Sequence, residues 1–225
     1  MKELKPLTLL VGVSGDLLEV AKMLGRRGER IALMSRNEQN MRLYQDRLAG
    51  LGIPARYFVA DVTESDQVLQ AFQALSKSSE RLDRLIYNVG VVSNESASSV
   101  TGPEMSRVMS ANFFGFVNCL QLALPMFKRL GHGHAITISS SRAMNPEASP
   151  VAFAASKSSL QIYIRALREE LRGKDVAFSE LFLGVMQGSA GVRYLTAEEI
   201  VEGILHVIEH KPERHLIGMC NENLE

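Results

Sequence analysis

The chain has 225 residues, enough for one domain with a substantial core, and 46% of them are hydrophobic. Twenty-five basic residues balance 25 acidic ones, so bulk electrostatics point to neither nucleic acid nor an anionic membrane. No apolar run approaches the roughly 20 residues that cross a bilayer, and Met1 to Pro6, with Lys2, Glu3 and Lys5, lacks the apolar stretch of a secretory signal.

Short apolar runs alternate with longer segments of helical spacing. A strand over Leu7–Val13 leads into a helix over Leu17–Arg27, and a strand over Arg30–Ser35 into a helix over Asn37–Leu51. Ala55–Ala60 precedes a helix over Glu64–Ser78, and Arg84–Asn88 precedes a long one over Gly102–Leu130. Ala135–Ser139 leads into Pro150–Arg172, Ala177–Leu183 into Thr196–His210, and His215–Met219 closes the series. Continuous Val, Ile and Leu runs of this length read as strands buried on both faces. In the fifth helix Leu160, Ile164, Leu167 and Leu171 form one apolar stripe, as a helix lying on a sheet requires. The pattern predicts one α/β domain over residues 1–225. Its sheet is Rossmann-type, doubly wound, mostly parallel and seven-stranded, with helices on both faces.

The turn after the first strand reads Gly12-Val13-Ser14-Gly15-Asp16-Leu17. Glycine lets backbone approach a pyrophosphate, and a helix N-terminus offers N–H groups and the positive end of its dipole. Two glycines alone also suit an ordinary tight turn. The second strand ends in Ser35-Arg36-Asn37, beside an adenosine ribose in such a fold. An arginine there suits a 2′-phosphate, or is a solvated residue at a helix start. Cys119 and Cys220 sit among apolar residues and read as free thiols of a reducing cytoplasm. His132 and His134 lack a nearby carboxylate or cysteine and do not read as a metal site. Phe113, Phe116 and Leu120 read as core or subunit interface.

Further motifs follow in order: Asp61-Val62, Tyr87-Asn88-Val89-Gly90, Asn112, Ile136 to Ser141, and Phe153-Ala154-Ala155-Ser156-Lys157. In combination they resemble the short-chain dehydrogenase/reductase family over essentially the whole chain. The resemblance implies that Gly12, Ser14 and Gly15 lie under the pyrophosphate and that Arg36 selects NADP(H). It implies that Asp61 and Val62 flank the adenine and that Asn88 and Gly90 line the adenosine side. Lys157 would hold the nicotinamide ribose, Ser140 the substrate oxygen, and Asn112 a water of a proton relay. The family's proton-donating tyrosine would stand at Phe153, four residues before Lys157 and thirteen after Ser140. A small-molecule substrate and a homodimer or homotetramer are further implications.

Three departures from the family pattern surround the same cleft. Phe153 has no proton to exchange, and general acid–base catalysis is worth roughly 10²–10⁴ in rate. The phosphate turn is one residue short, with Leu17 where a third glycine would stand and Asp16 in the first helical turn. After the sixth strand, Leu183-Gly184 replaces Pro-Gly, and a short stretch reaches the last helix by about Thr196. Two functions from different classes follow. One is an NADP(H)-dependent oxidoreductase on a carbonyl or alcohol with altered proton transfer. The other is a homologue that has left redox chemistry, as a nucleotide- or metabolite-binding protein, a partner of an active chain, or a non-redox biosynthetic enzyme.

Overall fold

The computed structural model describes residues 5–78, 81–140, 150–188 and 191–218, of which 185–188 and 191–194 are described as backbone only. Met1 to Glu3, Ser141, Met219 and Cys220, named above, lie outside the described residues.

Seven parallel strands form one sheet. They are β1 (Leu7–Val11), β2 (Arg30–Ser35), β3 (Ala55–Val59), β4 (Arg84–Tyr87), β5 (Gly133–Ser140), β6 (Val176–Leu183) and, last in the chain, β9 (Arg214–Ile217). Their order is β3-β2-β1-β4-β5-β6-β9, so the direction of winding reverses between β1 and β4. The sequence expectation of a seven-stranded, doubly wound sheet is met. The stretch after β6 differs: β7 (Val185–Gly188) and β8 (Gly191–Tyr194) pair antiparallel as a separate two-stranded sheet where a plain short loop was expected.

Alternation along each strand sorts side chains to two faces. From β1, Leu7, Leu9 and Val11 join one apolar cluster and Leu10 the other. The first cluster is covered by α3 (Ser65–Ser78), α5 (Gly115–Leu130) and α6 (Val151–Glu170). The second is covered by α1 (Gly15–Arg26), α2 (Glu38–Ala49) and α7 (Ala197–His210). The stripe read on the fifth helix is confirmed, since Leu160, Ile164, Leu167 and Leu171 are all buried in the first cluster.

The helix expected over Gly102–Leu130 is continuous but not uniform. It comprises α4 (Gly102–Met109), a π-helical turn at Ser110–Phe114, and α5. Tyr87 Oη, buried at the end of β4, donates to the Ala111 carbonyl at 2.5 Å and pins that turn to the sheet. The run has the length and mean hydropathy, 1.3, of a membrane span. Its apolar face is nevertheless spent inside the domain. Phe116, Cys119, Leu120, Ala123, Met126 and Phe127 are buried under the sheet, each large side chain contributing on the order of 1.5–3 kcal/mol. Phe116 and Leu120 are therefore core, whereas Phe113 is partly buried against Tyr163 and Phe114 is exposed.

His132 and His134, adjacent in one turn, part company. His132 Nε2 lies 3.0 Å from Asp83 Oδ1, and His134 Nε2 lies 2.8 Å from Ser179 Oγ.

Candidate active site

The turns after β1 and β4 meet because the two strands are neighbours, with Val11 opposite Tyr87. Gly12 has φ +74°, and a Cβ there would lie 2.8 Å from Val89 Cγ2 and 2.9 Å from the Val89 nitrogen. Any side chain would drive these turns apart. Asn88 ties them from the other side, its Nδ2 donating to the Gly12 carbonyl at 3.1 Å and to Ser14 Oγ at 3.3 Å.

Ser14 is the N-cap of α1, but its hydroxyl accepts no hydrogen bond from the helix. The free N–H groups of the first turn thus face outward without a side-chain cap. Above them there is room, since a Cβ on Gly15, and likewise one on Gly90, would meet nothing within 4 Å among the described residues. Leu17, standing where a third glycine was expected, is 1% exposed and belongs to the core cluster with Leu10, Leu18 and Ile86. Its bulk is directed into the fold. Asp16 does lie in the first turn.

At the far end of the cleft, Arg36 follows β2 and is 74% exposed, with its guanidinium 3.8 Å from Asp61 Oδ2. Burial alone would raise the Asp61 carboxyl. Hydrogen bonds from the Thr63 backbone and hydroxyl, and the nearby Arg36 charge, outweigh it and hold the group below its ordinary value. Val62 is buried against Gly115, where a Cβ would lie 2.7 Å from Val62 Cγ2, and Asn118 donates to the Val62 carbonyl at 3.0 Å. The long helix is thus fastened directly behind the Asp61-Val62 turn.

Asn112 lies in the π turn and is fully buried. Its Oδ1 accepts from the Val91 nitrogen at 2.7 Å, and its Nδ2 donates to the Val91 carbonyl and to Ser156 Oγ, each at 2.9 Å. Ser156 Oγ in turn donates to the Phe153 carbonyl at 2.7 Å. One carboxamide therefore joins the turn after β4 to the first turns of α6.

Lys157 is 3% exposed. Its ammonium donates to the Val89 carbonyl at 3.2 Å and the Ile138 carbonyl at 3.0 Å, and stands 5.8 Å from the centre of the Phe153 ring. Burial pulls its pKa down to about 8. Phe153 is itself packed, at 9% exposure, and Ser140 closes β5, half-buried, in register with Leu183.

The structure thus gathers the expected residues into three linked groups. Gly12, Ser14, Gly15, Asn88 and Gly90 surround the two turns; Arg36, Asp61 and Val62 lie beyond β2 and β3; Asn112, Phe153 and Lys157 join α6 to the turn after β4. Sequence reasoning missed Val89, Val91 and Ile138, which act only through backbone atoms. It also missed Ser156, whose hydroxyl bridges Asn112 to α6.

The short chain dehydrogenase profile matches residues 8–199. The chain is 28% identical over 180 residues to an uncharacterized oxidoreductase of Myxococcus xanthus, covering 80% of this chain and 71% of that one. It is 24% identical over 217 residues to a fatty acyl-CoA reductase of Acinetobacter baylyi, covering 92% and 74%. Actinorhodin polyketide ketoreductase, solved with NADPH, superposes with a TM-score of 0.86 at 19% identity, over 96% of each chain. A metagenomic short-chain oxidoreductase solved with NADP superposes at 0.83 and 22% identity, over 96% of this chain and 97% of that one.

Proposed function

The chain belongs to the short-chain dehydrogenase family, and we propose that it is an NADP(H)-dependent oxidoreductase of a carbonyl or alcohol, with proton transfer altered at Phe153. The observation that carries this reading is the uncapped N-terminus of α1. It opens onto free space above Gly15, in the crevice that also holds Asn88 and the Lys157 amine. Backbone donors and the positive end of a helix dipole are what a pyrophosphate needs. The solved relatives that hold NADP or NADPH support the same cofactor.

The residues present fit a dinucleotide. Gly12, Ser14 and Gly15 would hold the pyrophosphate, Asn88 and Gly90 would line the adenosine side, and Asp61 and Val62 would flank the adenine. Arg36 is exposed and paired only loosely with Asp61, so its guanidinium is available to a 2′-phosphate. Lys157 would hold the nicotinamide ribose, and Ser140 would orient the substrate oxygen. When bound, the reduced nicotinamide supplies a hydride to the carbonyl carbon. The chain's own residues orient the substrate and deliver a proton to its oxygen. Asn112 acts by holding Val91 and α6 in register.

Exposed Phe114 and Ile162 flank the Phe113–Tyr163 contact, and these adjoining faces of the π turn and α6 suit a homodimer or homotetramer, which sedimentation would read directly. NADPH titration by calorimetry, with a panel of ketones and aldehydes followed by absorbance, tests the reading. Binding with measurable NADPH oxidation supports it, and no binding together with no turnover refutes it. Phe153 favours the second reading, a homologue outside redox chemistry, and turnover at rates typical of reductases refutes that one.

A further inference from the structure

Reducing a carbonyl consumes one proton at oxygen, and the phenyl ring at 153 carries none to give. We propose that Lys157 is the proton donor of this site, an inference that rests on the reading of the chain as a carbonyl reductase.

The geometry singles out this amine. An ammonium has three N–H groups. Two are directed to the Val89 and Ile138 carbonyls, which fix the nitrogen at the carboxyl ends of β4 and β5. The third proton has no partner in a hydrogen bond among the described residues. The amine stands 5.8 Å from the centre of the Phe153 ring, one helical turn along α6. It is thus beside the position that the ring occupies without a hydroxyl.

Among the described residues no counter-ion pairs with this ammonium. The described groups that face it are the Val89 carbonyl from the turn after β4, the Ile138 carbonyl from β5 and the Phe153 ring from α6. None is charged. Burial alone bears on the ammonium and brings it to about 8, where a general acid works well near neutral pH. Of the other described ionisable groups of the cleft, Arg36 and Asp61 lie together beyond β2 and β3, and Asp16 lies at the start of α1.

The step balances. Hydride from the reduced nicotinamide forms the C–H bond and leaves the oxidised ring. The Lys157 N–H bond breaks as the O–H bond forms, and the neutral amine regains a proton from solvent. At pH well above 8 the donor is empty, so the rate of reduction falls about tenfold per pH unit.

Two measurements test this. The first needs no turnover: protein labelled with ¹⁵N at lysine Nζ is titrated by NMR. One lysine, absent from Lys157→Met, is expected to titrate near 8 while exposed lysines do so near ~10.4. The second is the pH profile of NADPH-dependent carbonyl reduction for wild type and Lys157→Arg. Guanidinium keeps a charge and hydrogen-bond donors but does not yield its proton. The arginine variant is expected to lose roughly 10²–10⁴ in kcat, with KM for NADPH changed only a few-fold. Titration of Lys157 with the surface lysines, or an arginine variant retaining kcat within threefold, overturns the inference and leaves the reductase reading standing. Wild type that binds no NADPH and turns over no carbonyl overturns both.

Discussion

Truncating Asn112 to alanine gives the sharpest test of how this cleft is held. The carboxamide makes three hydrogen bonds at 2.7–2.9 Å: two to the backbone of Val91 and one to Ser156 Oγ. Alanine removes all three and leaves their partners behind. Each group so abandoned costs about 1–3 kcal/mol when water cannot replace the lost partner. Ser156 keeps its bond to the Phe153 carbonyl, and Val91 is only half-buried, so the low end of that range applies to each. The sum is roughly 3 kcal/mol, which in a chain of this size lowers Tm by about 6–12 °C. Urea unfolding and thermal scans read it directly. Hydrogen exchange adds a local signature, since the Val91 amide should lose protection while β4 keeps its own. A loss below about 1 kcal/mol, or unchanged exchange at Val91, would mean that packing of the π turn holds the strap and that the carboxamide is incidental.

Three further predictions follow from individual side chains. Phe153→Tyr places a phenol beside the Lys157 ammonium, and carbonyl reduction is expected to rise, by less than the roughly 10²–10⁴ of a newly gained general acid because Lys157 would already donate a proton; a variant that binds NADPH but gains nothing shows that residue 153 is not the limiting step. Arg36→Glu removes a charge-assisted contact worth about 1.5–3 kcal/mol, so Kd for NADPH should rise roughly ten- to a hundredfold with NADH affected far less; equal losses for both nucleotides refute a 2′-phosphate role. His134 is pulled down to about 3, by burial first and by Lys211 and Arg84 after it. Between pH 6.5 and about 3 the unfolded chain therefore binds the extra proton, and stability falls as pH drops through that window. His134→Gln removes this titration, and urea midpoints from pH 6.5 to 4.5 should flatten relative to wild type; parallel slopes contradict the assignment.

The sheet was legible because its strands are buried on both faces, and such strands leave continuous apolar runs whatever their neighbours. The same signal overran at β1, where Val13 extends the apolar run past Gly12, although the backbone at Gly12 has already turned to φ +74°. The π turn at Ser110–Phe114 left no trace, because one widened turn hardly disturbs a helical stripe. The β7–β8 pair was missed for another reason. Two four-residue strands depend on pairing with each other, and Val185-Met186-Gln187-Gly188 shows no alternation strong enough to announce it. In the site, residues that act through side chains stood out: Asn88, Asn112 and Lys157 carry polar groups amid apolar stretches. Val89, Val91 and Ile138 contribute only N–H and C=O, which every residue type but proline supplies. No sequence pattern distinguishes them.

The departures around the cleft are unequal in what they alter. Leu17 replaces a glycine, yet its side chain is spent in the core between α1 and the sheet, and the space over Gly15 stays open. Leu183 likewise packs against the second apolar cluster, where it braces β6. Neither takes a donor away from the turn over α1. Phe153 is different, because its packed ring has no proton to give. On the proposed reading, Gly12, Ser14, Gly15, Asn88 and Arg36 would carry most of the nucleotide binding, and Lys157, which would touch the nucleotide only at its nicotinamide ribose, would carry the proton. That division predicts a protein that holds NADPH firmly and oxidises it slowly, with substitutions around the pyrophosphate and the 2′-phosphate leaving kcat at saturating NADPH unmoved. If Arg36→Glu lowered kcat at saturating NADPH as severely as it weakened binding, the two groups would be coupled and this division of labour would be wrong.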